Sequence, residues 1–84
     1  MRFCYITFRS VTPAQKGERI LRRTGVECTI QRTPRWMEEQ GCGYSLRLRH
    51  QDALQGTKVL KENRIAYRKV YLQGDHGSFE ELEL

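Results

Sequence analysis

Two stretches of this chain resemble each other and fix most of what it can fold into. "ILRRTGV" at 20–26 and "VLKENRI" at 59–65 each close a segment whose apolar residues fall at helical spacing around a glycine. Ala14, Gly17, Ile20 and Leu21 make one stripe; Ala53, Gly56, Val59 and Leu60 make the other. A glycine inside a helix costs about 1 kcal/mol against alanine. Its presence in both segments predicts helices that approach a sheet closely. Each segment lies between strand-like stretches, so the chain reads β-α-β-β-α-β. Two related β-α-β halves predict an α+β ferredoxin-like sandwich: a four-stranded antiparallel sheet with two helices on one face.

The strands are read from alternation. "FCYITFR" at 3–9 is rich in aromatic and β-branched residues, with Cys4, Ile6 and Phe8 on one face and Phe3, Tyr5 and Thr7 on the other. "VECTIQR" at 26–32 sets Val26, Cys28 and Ile30 together. In "YSLRLRH" at 44–50, Tyr44, Leu46 and Leu48 face the helices, and Ser45, Arg47 and Arg49 the open side. "IAYRKVYL" at 65–72 is the fourth strand. Thr12 is read as the first helix's N-cap, with Pro13 behind it, Gln15 completing a capping box and Gly25 as the stop. Asp52 caps the second helix, and Asn63 closes it in the left-handed conformation. Residues 1–73 are read as one domain and the acidic segment 74–84 as a tail, folded back on the body or disordered.

Charge is unevenly spread. All 15 Lys and Arg lie within residues 1–73 beside six acids, which gives that part +9, whereas "GDHGSFEELEL" carries four acids and no Lys or Arg. A basic body attracts nucleic acid, phosphates or an acidic protein partner; it is equally a well-solvated surface. An 84-residue chain buries a modest core, and a homodimer is one way to hide more surface. No stretch approaches the roughly 18 apolar residues of a membrane helix, so no membrane partner is expected. There is no signal-peptide pattern at the start, and the three cysteines have no regular spacing. A cytoplasmic location follows as the expectation.

The cysteines differ in setting. Cys4 and Cys28 sit on apolar rows and read as buried, inert thiols. Cys42 stands between Gly41 and Gly43 in the connection "TPRWMEEQGCG", where a bare turn leaves its sulfur open. Glycine lets successive backbone N–H groups converge on one point. Arg35 is close in sequence and Arg47 follows on the next strand. Positive charge and N–H donors favour the thiolate, which is the nucleophile. The bland alternative is a tight turn in which Cys42 fills a gap. Zinc would want clustered Cys and His pairs, and none is present, so no metal site and no cofactor are expected. His50 ends the strand that starts just after Cys42, at the far end for a Cys–His pair.

Phe8 and Ser10 at the end of the first strand are followed by Ala14, Glu18, Leu21 and Gly25, then Pro34-Arg35, then Cys42-Gly43 opening "YSLRL". In this ordered set the chain resembles the selenium/sulfur (Se/S) carrier protein-like family over roughly residues 3–72. It departs from that pattern in having Gln40-Gly41, rather than small hydroxyl residues, before the cysteine. The resemblance implies a carrier rather than a turnover enzyme: Cys42 would hold sulfur or selenium as a persulfide-type adduct and pass it from a donor protein to an acceptor. Arg35 and Arg47 would supply charge and the Gly43 N–H a donor. Gly41, Trp36 and Pro34 would shape the loop, with Trp36 shielding the adduct, docking a partner or simply plugging the loop. A rival from another class is an RNA-recognition-like module, with Phe3 and Tyr5 as stacking platforms and "GCGYSL" echoing the third-strand signature. Gln40, Cys42 and Arg47 depart from that signature, so nucleic acid is the less favoured partner. A docking domain with no chemistry is the third reading.

Overall fold

The computed structural model describes residues 2–33, 43–74 and 78–82. Its elements are β1 (Phe3–Phe8), α1 (Val11–Arg23), β2 (Cys28–Arg32), β3 (Tyr44–Arg49), α2 (Ala53–Glu62), β4 (Val70–Gln73) and β5 (Phe79–Leu82). A short 3-10 turn, His50–Asp52, joins β3 to α2. The strands form one antiparallel sheet in the order β2-β3-β1-β4-β5. The fold is thus α+β, with two helices and five strands among the described residues where four strands were expected. The extra strand comes from the acidic segment: Gly74 N–H donates to Ser78 O at 2.7 Å, and residues 79–82 pair back along β4. Phe79 meets the Tyr5 ring edge-on at 5.6 Å, and Glu81 pairs with Lys69 at 3.5 Å. A short acidic edge strand discourages pairing with another chain.

The helices cover one face. Cys4, Ile6, Phe8, Leu46, Leu48 and Val70 point into the core from the sheet, and Ala14, Leu21, Val59 and Leu60 from the helices. Tyr44 is half-buried against the same cluster. The mid-helix glycines sit where the layers touch. A Cβ on Gly17 would lie 3.1 Å from Leu60 Cδ2 and 3.2 Å from Leu46 Cδ1; one on Gly56 would lie 2.9 Å from Leu48 Cδ1.

The resemblance between 20–26 and 59–65 is a repeated helix ending. Val26 N–H donates to Leu21 O and Gly25 N–H to Arg22 O; Ile65 N–H donates to Leu60 O and Arg64 N–H to Lys61 O. Both are Schellman motifs. Gly25 (φ 86°) holds the left-handed position in one and Arg64 (φ 57°) in the other, so Arg64, not Asn63, closes α2. The expected caps shift as well. Helix α1 begins at Val11 with Ser10 as N-cap, and neither Ser10 nor Asp52 makes a side-chain capping bond. Pro13 is therefore the third helical residue, still within the turn whose N–H groups lack intrahelical partners. Strand β4 starts at Val70 rather than 65, because Thr7 occupies the approach. Its carbonyl accepts from Arg68 N–H, and its hydroxyl accepts from Lys69 N–H at 3.0 Å.

Candidate functional site

Antiparallel pairing decides what stands near the entry to β3. Phe8 is the partner of Tyr44, and Tyr44 of Arg32. Strand β1 therefore leaves the sheet, and β2 ends, where Gly43 enters. Gly43 is buried, and its carbonyl accepts from Thr33 N–H at 3.0 Å. Arg9 and Ser10 lead from this end directly into α1. The first turn of α1 contains no acidic residue and Ser10 provides no side-chain cap. The helix thus presents N–H groups and the positive end of its dipole, about half an elementary charge, at this end of the sheet. Arg32 adds a guanidinium 5.9 Å from the Tyr44 ring centroid.

Of the residues singled out in the sequence, Pro34, Arg35, Trp36, Gly41 and Cys42 lie outside the described residues. Gly43 and Arg47 are described, and they stand apart. Four residues of extended strand separate them by about 13 Å. The Arg47 guanidinium lies 4.5 Å from the Phe3 ring centroid, toward the other end of the sheet. That other end holds a cleft of about 690 Å³ lined by Phe3, Arg22, Glu27, Cys28, Arg47 and Arg49 among others. Its charges are largely matched internally: Arg22 donates to Cys28 O at 3.0 Å and lies 3.6 Å from Glu18, and Arg49 meets Glu27 at 3.2 Å. The Phe3 and Tyr5 rings, the stacking platforms of an RNA-binding reading, are engaged by Arg47 and Phe79.

The two described cysteines sit in the core. Cys4 is 0% exposed, and burial pushes its thiol up to about 12. Cys28 is also raised, first by burial and then by the Glu18 carboxylate, with the charge and hydrogen bond of Arg22 opposing. Its sulfur lies 3.8 Å from Glu18 O. Neither setting favours a thiolate at neutral pH.

Sequence reading missed that Arg9, Arg32 and the N-terminus of α1 lie at Gly43's end of the sheet; only the strand register reveals it. It also set Ser45 on the open side of the sheet, yet Ser45 is fully buried. Among the described residues no three His, Cys, Asp or Glu side chains stand together as a metal set, and no helix is long and apolar enough to cross a membrane.

A family model described as "Putative Se/S carrier protein-like" matches residues 3–72, which span every described element but β4's last residue and β5. The chain belongs to this family. No curated protein and no solved structure matches it.

Proposed function

We propose that the protein carries sulfur or selenium on Cys42. The Cys42 thiolate attacks the outer sulfur of a donor persulfide; the donor's inner S–S bond breaks, and the donor leaves as a thiolate. Cys42 then holds the transferred sulfur, with its proton or as the anion, and gives it to the thiolate of an acceptor by the same exchange. No electrons are gained or lost overall. Selenium transfer follows the same course. Donor and acceptor proteins are the implied partners, and a cytoplasmic setting keeps the thiol reduced between transfers.

The observation that carries this reading is the family match together with the electrostatics at Gly43, the residue bonded to Cys42. The uncapped N-terminus of α1, Arg9 and Arg32 stand at that end, where positive potential stabilises a thiolate and then an anionic adduct. We assign the charge to these groups and to Arg35, and Arg47 to its contact with Phe3. Gly41 and Pro34 shape the loop, the Gly43 N–H serves as a donor, and Trp36 shields the adduct from water. The first six elements and the order β2-β3-β1-β4 support a ferredoxin-like reading of the fold, extended by β5.

The test is mass spectrometry of intact protein and of its peptides after incubation with a persulfide donor, beside Cys42→Ala. One added sulfur (or selenium) on the Cys42 peptide, absent from a folded Cys42→Ala variant, is the expected result. No adduct, or adducts spread evenly over Cys4, Cys28 and Cys42, would sink the proposal.

A further inference from the structure

We propose that the cleft at the end of the sheet away from Gly43 binds a small organic oxyanion, a carboxylate or phosphate monoester on a flat apolar body, held by the Arg47 and Arg49 guanidinium groups beside Phe3. The site is separate from Cys42 and stands or falls without it. Arg47 is the deciding group. Register and alternation set Thr29, Arg47, Tyr5, Tyr71 and Glu81 in one row across the open face of the sheet. Arg47 is half-buried, and its guanidinium lies 4.5 Å from the Phe3 ring centroid. Among the described residues that guanidinium meets no carboxylate and makes no hydrogen bond. The carboxylates on this face are already paired: Glu27 meets Arg49 at 3.2 Å, and Glu81 meets Lys69 at 3.5 Å. Arg22, which also lines the cleft, is engaged by Cys28 O and Glu18.

A guanidinium is planar and holds its N–H donors in a rigid fork that fits a carboxylate or phosphate at two points. The Phe3 ring already steadies that fork, so part of the ordering that binding requires is in place beforehand. Arg49 follows on the same strand face, about 6.6 Å further along at about 3.3 Å per residue. Its pair with Glu27 is exposed on both sides, 46% for Arg49 and 82% for Glu27, and exposed pairs hold weakly. An oxyanion seated on Arg47 therefore draws Arg49 away from Glu27 and takes donors from both. The space, about 690 Å³, falls within the range of about 300–1,000 Å³ typical of small-molecule sites. That is more room than a bare inorganic anion fills, and Phe3 offers an apolar wall to the rest of the ligand.

The experiment titrates the isotope-labelled full-length protein and follows its backbone amide shifts by NMR. The probes, at constant ionic strength, are phenyl phosphate, benzoate, inorganic phosphate and benzyl alcohol. Saturable shifts centred on Phe3, Thr29, Arg47 and Arg49 are expected with phenyl phosphate or benzoate, and the tighter of the two identifies the head group. Inorganic phosphate should bind at least about fivefold more weakly than phenyl phosphate, because it leaves Phe3 unused. Arg47→Gln should weaken binding about tenfold. Glu27→Gln should tighten it about threefold by releasing Arg49, and at 82% exposure this change leaves the fold intact even if Arg47→Gln does not. Lys58→Gln and Glu62→Gln change the net charge by the same steps on the exposed side of α2, and each should leave affinity within about twofold. No saturation by either organic oxyanion overturns the proposal. So do equal responses of the cleft and α2 variants, which would mean that Arg47 is simply hydrated beside Phe3. Benzyl alcohol bound as tightly as benzoate overturns it too, since charge would then play no part.

Discussion

The three thiols should differ in reactivity by orders of magnitude, and the structure fixes the slow end of the scale. The Cys4 thiol is pushed up to about 12 from an ordinary value of 9.0, and the residue is 0% exposed. Three pKa units reduce its thiolate population about a thousandfold. Because the sulfur is also shut away from solvent, its alkylation must wait for the fold to open. Cys28 is raised too, but Arg22 pulls against burial and Glu18, and it lines the cleft at the end of the sheet away from Gly43. Its rate should fall between those of Cys4 and Cys42. A time course with light iodoacetamide on native protein, chased with heavy reagent after unfolding, resolves all three peptides. Labelling of Cys4 as fast as Cys42 would refute the argument, since burial would then not be controlling the thiol. The same shift has a pH consequence. The folded state holds the Cys4 proton more tightly than the unfolded chain, so this contribution is intact below pH 9. It is lost as pH rises from 9 toward 12, by at most about 4 kcal/mol. Urea midpoints should fall over that window in the parent and fall less steeply in Cys4→Ala.

Two further substitutions test the architecture. The matched helix endings predict opposite signs for opposite changes: Gly25→Ala should cost about 1 kcal/mol and Arg64→Gly should gain about 0.5–1 kcal/mol in urea unfolding, because a side chain is strained at positive φ. Equal signs would show that the left-handed position does not control the outcome. Gly17→Val should cost about 2–3 kcal/mol, since even the first carbon would press on Leu60 and Leu46 at 3.1 and 3.2 Å and both are fully buried; a loss below about 0.5 kcal/mol would mean that the layers can part there.

Local rules made the fold legible where they acted alone. Alternation in "FCYITF" and "YSLRLR" names the core face, and the two glycines mark the tight approach of helix to sheet. The reading slipped where a distant residue intervened. Thr7 uses its own hydroxyl to take the Lys69 N–H, so β4 begins later than the run 65–72 suggests. The strand Phe79–Leu82 was hidden by the charge of its segment, which leaves a folded-back and a disordered tail equally open until Phe79 is seen against Tyr5 and Glu81 beside Lys69. Ser45 was placed on the open side by a sound periodicity rule, but which side of a sheet is dry is a property of the assembled molecule.

The candidate site shows the same division more sharply. Arg47 is near Cys42 in sequence, and an extended strand carries it about 13 Å from Gly43 onto the Phe3 ring. Arg9 is far away in sequence, yet the pairing of Phe8 with Tyr44 delivers it, with the start of α1, to Gly43's end of the sheet. In an antiparallel sheet, proximity follows the register rather than the residue count. The start of α1, Arg9 and Arg32 therefore stand at the end of the sheet where Gly43 enters β3. The proposed carrier thiol would need such positive potential, to ionise it and to hold the anion it accepts until an acceptor takes it.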